Sequence, residues 1–164
     1  MTLAAPTPRK PNIVTLVSIT ATAAFSMNIF LPSLPAMARD FGVEYGFMQL
    51  SVSAFLGVSA VLQLLCGPIS DRFGRRPVVL GALAIFLLAT LGTLLARDAM
   101  WFMVFRMIQA VVTTGFVISR AIVRDMVPAE QAASMIGYVT MGMALVPMIA
   151  PTLGGILDET IGWR

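Results

Sequence analysis

Apolar residues in this chain arrive in long unbroken runs, at roughly 13–37, 47–66, 78–96, 100–122 and 132–157, and polar residues gather in the short stretches between them. A helix needs about 20 apolar residues to cross a bilayer, so the pattern predicts an all-α membrane protein with five transmembrane helices and no strands. The connections hold helix breakers: Phe41-Gly42, Gly74 with Pro77, Arg97-Asp98, and Pro128. Residues 1–12, with Pro6, Pro8 and Pro11, read as a tail, and residues 158–164 as an end that stops before any sixth helix.

Charge in the connections orients these spans, because Lys and Arg are retained on the cytoplasmic side of short loops. Alternate connections place Arg9, Lys10, Arg72, Arg75, Arg76, Arg120 and Arg124 on one side, against Arg39, Arg97 and Arg164 on the other. The N-terminus is therefore expected in the cytoplasm and residues 158–164 outside. Arg9 and Lys10 before an apolar stretch with Ala21 and Ala23 look like a secretory signal, but the run continues to Met37, past the roughly 7 to 15 residues of a signal core.

Composition narrows the function. Hydrophobic residues make up 58% and charged residues 12% of the chain, and the net charge of +3 is dispersed over helix ends, which excludes a nucleic-acid surface. Cys66 is the only cysteine and there is no histidine, so an internal disulfide and a Cys/His metal cluster are excluded, and no cofactor is implied.

Chemistry is concentrated in four segments. Gly67-Pro68-Ile69-Ser70-Asp71-Arg72-Phe73-Gly74-Arg75-Arg76-Pro77 joins spans two and three. Gly67 permits close helix approach, Gly74 permits a tight reversal, and Asp71 sets an acceptor-only carboxylate among Arg72, Arg75 and Arg76. Opposite charges at a helix end can latch one conformation and release it in another. Span four carries the one charge placed deep in the membrane, Arg106, followed by Gln109. An arginine at a helix centre costs about 2.5 to 3.5 kcal/mol on insertion scales, so it usually faces a cavity. Arg106 also lies about 9 Å along a helix from Met100, which leaves snorkelling to the headgroups open. In span five, Gly142, Val146, Ala150 and Gly154 recur every four residues as one smooth stripe, with Pro147 and Pro151 bending the helix.

Span one ends in Asn28-Ile29-Phe30-Leu31-Pro32-Ser33-Leu34-Pro35. All eight acidic residues fall in loops or at helix ends, so the spans hold no buried proton carrier, and Asn28 cannot exchange a proton near neutral pH. Asn28 is left with either a substrate hydrogen bond or a plain interhelical contact. Phe25, Met27, Phe30, Met103, Met107 and Phe116 either line an adaptable apolar pocket or simply pack.

These segments resemble, in order, the motifs of the major facilitator superfamily. Residues 67–77 are similar to its G-x-L-A-D-R-x-G-R-K loop. Arg106 and Gln109 match its R-x-x-Q-G motif, with Ala110 in place of the glycine. Ala150, Pro151, Gly154 and Gly155, with Gly142 upstream, resemble the antiporter motif whose core is G-P-x-x-G-G, Ala150 replacing the first glycine. Residues 28–35, and Arg124-Asp125-Met126-Val127-Pro128, are similar to segments of bicyclomycin- and chloramphenicol-resistance exporters, in which an aspartate is frequent where Asn28 stands.

The resemblance implies five helices of the N-terminal six-helix half of a two-half transporter, which would still need its sixth helix and a C-terminal half. It implies a substrate cavity holding Asn28, Arg106, Gln109 and Thr113, and a gate in which Asp71 pairs with Arg124 or Arg120 beside Gly67, Arg72, Gly74, Arg75 and Arg76. The implied activity is not enzymatic. It is export of small hydrophobic or amphiphilic drugs across the bacterial inner membrane by alternating access, exchanged for protons carried outside this chain or by Asp71 or Asp125. A metabolite symporter or facilitator of the same superfamily, and a non-transporting membrane protein that pairs with another half, are the alternatives. The charge rule makes a direct prediction: reporter enzymes fused after residue 76 or 125 are active as cytoplasmic fusions, and those after residue 43 or 98 as external ones. Inversion of either pair would overturn the topology.

Overall fold

A computed structural model describes residues 12–163; the expected tail, apart from Asn12, and the charges of Arg9, Lys10 and Arg164 lie outside the described residues. Five helices long and apolar enough to cross a membrane follow one another: α1 (Ile13–Phe41), α2 (Tyr45–Phe73), α3 (Arg75–Leu95), α4 (Ala99–Met126) and α5 (Ala129–Ile161). All run past the apolar limits read from the sequence at one end or both, because polar residues at the ends remain helical. Asp158 and Glu159 accordingly belong to the last turns of α5 rather than to a loop.

The ends of the helices are set by local chemistry. The Asn12 side chain accepts from the Val14 amide at 2.9 Å and starts α1, and Asp98 does the same for the Trp101 amide at 2.9 Å to start α4. Gly42, at φ 65°, closes α1. Gly74, at φ 90°, is the whole connection between α2 and α3, a conformation that a residue with a Cβ rarely adopts. Pro77 falls in the first turn of α3, where its missing amide hydrogen costs nothing.

Two helices are interrupted. In α1 the α-helical ladder stops at Asn28, a 3₁₀ turn follows over Leu31–Ser33, and the helix resumes at Leu34–Phe41; Pro32 and Pro35 withhold the amides that would have continued it. In α4 a 3₁₀ turn over Ala110–Thr113 separates Ala99–Gln109 from Thr114–Met126. No proline or glycine stands in that turn. The hydroxyls of Thr113 and Thr114 donate back to the Ala110 and Val111 carbonyls, both at 2.7 Å, and so favour the tighter winding.

α4 is the centre of the bundle and touches all four other helices. Of its most apolar window, 61% is buried, against 11 to 22% for the other helices, whose outward leucines and methionines are left for lipid. Ser51, Phe55, Ser59, Cys66 and Ser70 form the buried face of α2 at helical spacing.

α1 and α5 form the most extensive pair. Thr20 donates across it to the Val139 carbonyl at 3.4 Å, and Ala23, Ala24 and Ala150 are almost fully buried. The small-residue stripe of α5 is what allows this approach. A Cβ on Gly142 would lie 2.8 Å from Val17 Cγ1, and one on Gly154 would lie 2.9 Å from the Ile29 carbonyl carbon and closer still to its oxygen. At Gly155 it would meet only Pro32 Cβ, at 3.8 Å. Gly154→Ala is therefore expected to destabilise the bundle by about 1 to 3 kcal/mol, the usual cost of overpacking, whereas Gly155→Ala is tolerated. Thermal denaturation in detergent, followed by fluorescence-detected gel filtration, compares the two; equal melting would refute the assigned contact.

Candidate functional site

Arg106 projects from α4 into the middle of the bundle and is 4% exposed. Burying a guanidinium is costly unless protein groups replace its water, and three helices supply them here. Nη1 donates to Gln109 Oε1 at 2.8 Å, one turn along α4. Nη2 donates to the Ser26 carbonyl of α1 at 2.9 Å. That carbonyl lies where the α1 ladder ends, with Ile29 donating to Phe25 as its last bond, so the break in α1 and the seat of Arg106 are one feature. The guanidinium carbon stands 3.8 Å from the centre of the Phe30 ring of α1 and 4.3 Å from that of Phe55 of α2, so the cation lies between two π faces. Nε has no partner.

Gln109 extends the network to a fourth helix. Its Nε2 donates to the hydroxyls of Thr90 and Thr93 of α3 at 3.0 and 3.3 Å. The side chain is oriented by this traffic, with its oxygen toward the arginine and its nitrogen toward the threonines. A cavity of about 410 Å³ opens beside the network between α1, α3 and α4, lined by Ser26, Phe30, Thr90, Thr93, Arg106 and Gln109 among others.

The snorkelling reading of Arg106 does not hold, since the side chain points inward and its charge is met by protein. The four expected cavity residues are not gathered into this cavity: Arg106 and Gln109 line it, Asn28 and Thr113 do not. Asn28 Nδ2 donates to the Ala24 carbonyl of its own helix at 2.7 Å, an intrahelical bond. Thr113 is 1% exposed and its hydroxyl is spent on the 3₁₀ turn. Of the apolar candidates, Phe25 and Phe30 line the cavity, while Phe116 is packed with Ala23, Ala24 and Val112. Thr90 and Thr93 were not among the expected residues. Their signal was available, for they are the only hydroxyls in α3 and stand three positions apart.

At the opposite end, the Gly67–Pro77 segment forms an ion-pair cluster with a different pairing from the expected one. Arg75 is the bridge: Nη2 lies 2.6 Å from Asp71 Oδ1 and 3.1 Å from Asp125 Oδ2, and Nε donates to Asp125 at 3.2 Å. Nη1 donates to Ser70. Arg75 is brought between the carboxylates because the single-residue turn at Gly74 folds the start of α3 back over the end of α2. Arg124 is exposed and makes no ion pair among the described residues, and Arg120, which makes none there either, donates to Met143 Sδ at 3.9 Å. A carboxylate of α4, Asp125, therefore occupies the place expected for an α4 arginine.

Comparison with known proteins bears on these sites. The sequence profile of the Major Facilitator Superfamily matches residues 16–164. The chain is 36% identical over 150 residues to Multidrug resistance protein D of Escherichia coli (strain K12), covering 91% of this chain and 38% of that protein. It is 35% identical over 144 residues to the Chloramphenicol resistance protein of Pseudomonas aeruginosa, covering 87% and 34%. Multidrug resistance protein MdtM of Salmonella typhimurium is 31% identical over 147 residues, covering 87% and 35%. The chain thus spans little more than a third of the length of these relatives. The match takes in four of the five apolar helices whole and α1 from its fourth residue, together with the glycine-turned ion-pair loop and the buried Arg106–Gln109 pair, and the chain belongs to the major facilitator superfamily of membrane transporters.

Proposed function

We propose that this chain is the N-terminal portion of a drug exporter of the bacterial inner membrane, with its N-terminus in the cytoplasm. When joined to a sixth helix and an opposing half, it moves small hydrophobic or amphiphilic compounds outward by alternating access, in exchange for protons. The observation that carries this reading is the Arg106 seat: a buried cation that lines a cavity and holds α1, α2 and, through Gln109, α3 to the central helix. The names of the resistance-associated relatives support the substrate class. The antiporter-like stripe of α5 supports the direction.

In this reading α4 is the axis of a rigid half. Arg106 fixes the broken segment of α1 against it, and Phe30 and Phe55 keep water from the guanidinium. Arg75, held by Asp71 and Asp125, locks the cytoplasmic ends of α2, α3 and α4 together, so that the half rocks as a body rather than splaying. The carboxylates of the described residues all sit at or near helix ends, none in the middle of a span, so the coupling proton is handled at Asp71 or Asp125 or outside this chain.

In the full-length transporter, Arg106→Ala is expected to abolish drug efflux. Arg106→Lys is expected to insert but to lose about tenfold in flux or more, since an ammonium cannot stack between two rings while donating in two directions; one charge-assisted hydrogen bond is worth about 1.5 kcal/mol or more. Drug uptake into everted vesicles, normalised to folded protein by gel filtration, measures both, and native flux in Arg106→Ala would remove the residue from the mechanism. For the cytoplasmic cluster, Arg75→Ala is expected to lower transport severalfold and Arg124→Ala to leave it near native, because only the former leaves two carboxylates facing each other. The reverse ranking in the same assay would refute the observed pairing as the functional one.

A further inference from the structure

At the end of the bundle that the charge rule places outside, the Arg106 cavity is bordered by a residue that belongs to none of the five helices. α5 ends at Ile161, and the Gly162 amide donates to the Asp158 carbonyl at 3.1 Å. Gly162 takes φ 84°, and a Cβ there would meet nothing within 4 Å, so backbone conformation rather than space calls for glycine. Trp163 follows and lies over the end of the bundle. Its ring centre is 5.3 Å from that of Phe41, the last residue of α1, and 6.1 Å, edge to face, from that of Phe102 in the first turn of α4.

Trp163 stands between two spaces. On one side is the cavity of about 410 Å³ beside Arg106 and Gln109. On the other is a cavity of about 260 Å³ between α1 and the end of α5, lined by Ser33, Gly154, Leu157 and Asp158 among others. Four residues border both: Ile29, Phe30, Met37 and Trp163. The first three belong to α1, and Arg106 holds the broken part of that helix through the Ser26 carbonyl and the Phe30 ring. Trp163 instead hangs from a glycine and is partly exposed. Rotation about Gly162 that lifts the indole off Phe41 and Phe102 would join the two spaces without moving a helix.

We propose that Trp163 is a lid. Seated on Phe41 and Phe102, it shuts the Arg106 cavity from the external medium; lifted, it joins the two cavities into one space open to the outside, through which cargo leaves. The inference rests on the export reading above and adds to it the external closure that this half contributes. Each aromatic pair shifts an equilibrium between seated and lifted rings roughly two- to tenfold, so loss of both contacts is expected to raise access about tenfold or more.

The test uses the full-length transporter with Thr93→Cys as a reporter inside the cavity. Spheroplasts are treated with a membrane-impermeant methanethiosulfonate, and labelling of the protein lacking that cysteine is subtracted. Labelling is expected to be slow behind native Trp163, about tenfold faster or more with Trp163→Ala, and near native with Trp163→Phe, which keeps a ring against both partners. Should Trp163→Ala not accumulate, Phe41→Leu, which removes one ring contact, is expected to speed labelling roughly two- to tenfold. Net chloramphenicol export by the same cells is expected to fall severalfold in Trp163→Ala, because a cavity left open outside refills from that side. Unaltered labelling in both variants, with only a lower melting temperature, would make the ring an anchor and overturn the proposal. Equal acceleration in Trp163→Phe, or native export by a Trp163→Ala protein that labels fast, would overturn it as well. Failure of the native protein to export chloramphenicol would instead sink the export reading, whereas the labelling reads the lid without transport.

Discussion

A guanidinium inside a membrane must be solvated by the protein that carries it, and the arrangement of this bundle follows from how Arg106 is solvated. Its hydrogen bonds reach α1 and its own helix, its π contacts reach α1 and α2, and Gln109 passes the connection to α3. Apolar packing alone would not choose this register, because lipid tails are as apolar as the leucines they touch. Directional bonds from one buried cation do choose it. They also account for a helix break that would otherwise be a defect: the interrupted ladder of α1 presents the Ser26 carbonyl to Arg106.

The α1–α5 pair solves a different problem by different means. Here the backbones approach until the Ile29 carbonyl lies over the Gly154 Cα, and the contact is made of small residues and dispersion, with a single long hydrogen bond from Thr20. The stripe of α5 thus has an observed structural role within this half, whatever further role it has in coupling. The two breaks, in α1 and α4, both fall next to this central region, and each leaves a short 3₁₀ segment between two α-helical pieces.

At the other end, Arg75 shows how a loop motif becomes a clamp. Two carboxylates from different helices share one guanidinium, partly exposed to solvent, so the cluster is weaker than a buried pair and better suited to rearrange. The bundle is therefore bound tightly at its middle by a cation enclosed in rings and more loosely at one end by a cation among carboxylates.

The five helices, their turns and the membrane as their surroundings were legible in the sequence, because run length, glycine, proline and N-cap residues act locally and leave local marks. Arg106 and Gln109 were legible as a pair for the same reason, standing three apart on one helix. What met them was not. Ser26, Phe30, Phe55, Thr90 and Thr93 come from three other helices, and no local pattern says which face of a uniformly apolar helix turns inward. The 3₁₀ turn of α4 depends on threonine hydroxyls choosing backbone carbonyls, and Asn28 turned away from the cavity to its own helix by the same kind of choice. The partner of Asp71 was decided by tertiary structure as well: α4 offers both Arg124 and Asp125 at its end, and only the helix rotation set by packing brought the carboxylate, not the arginine, to Arg75.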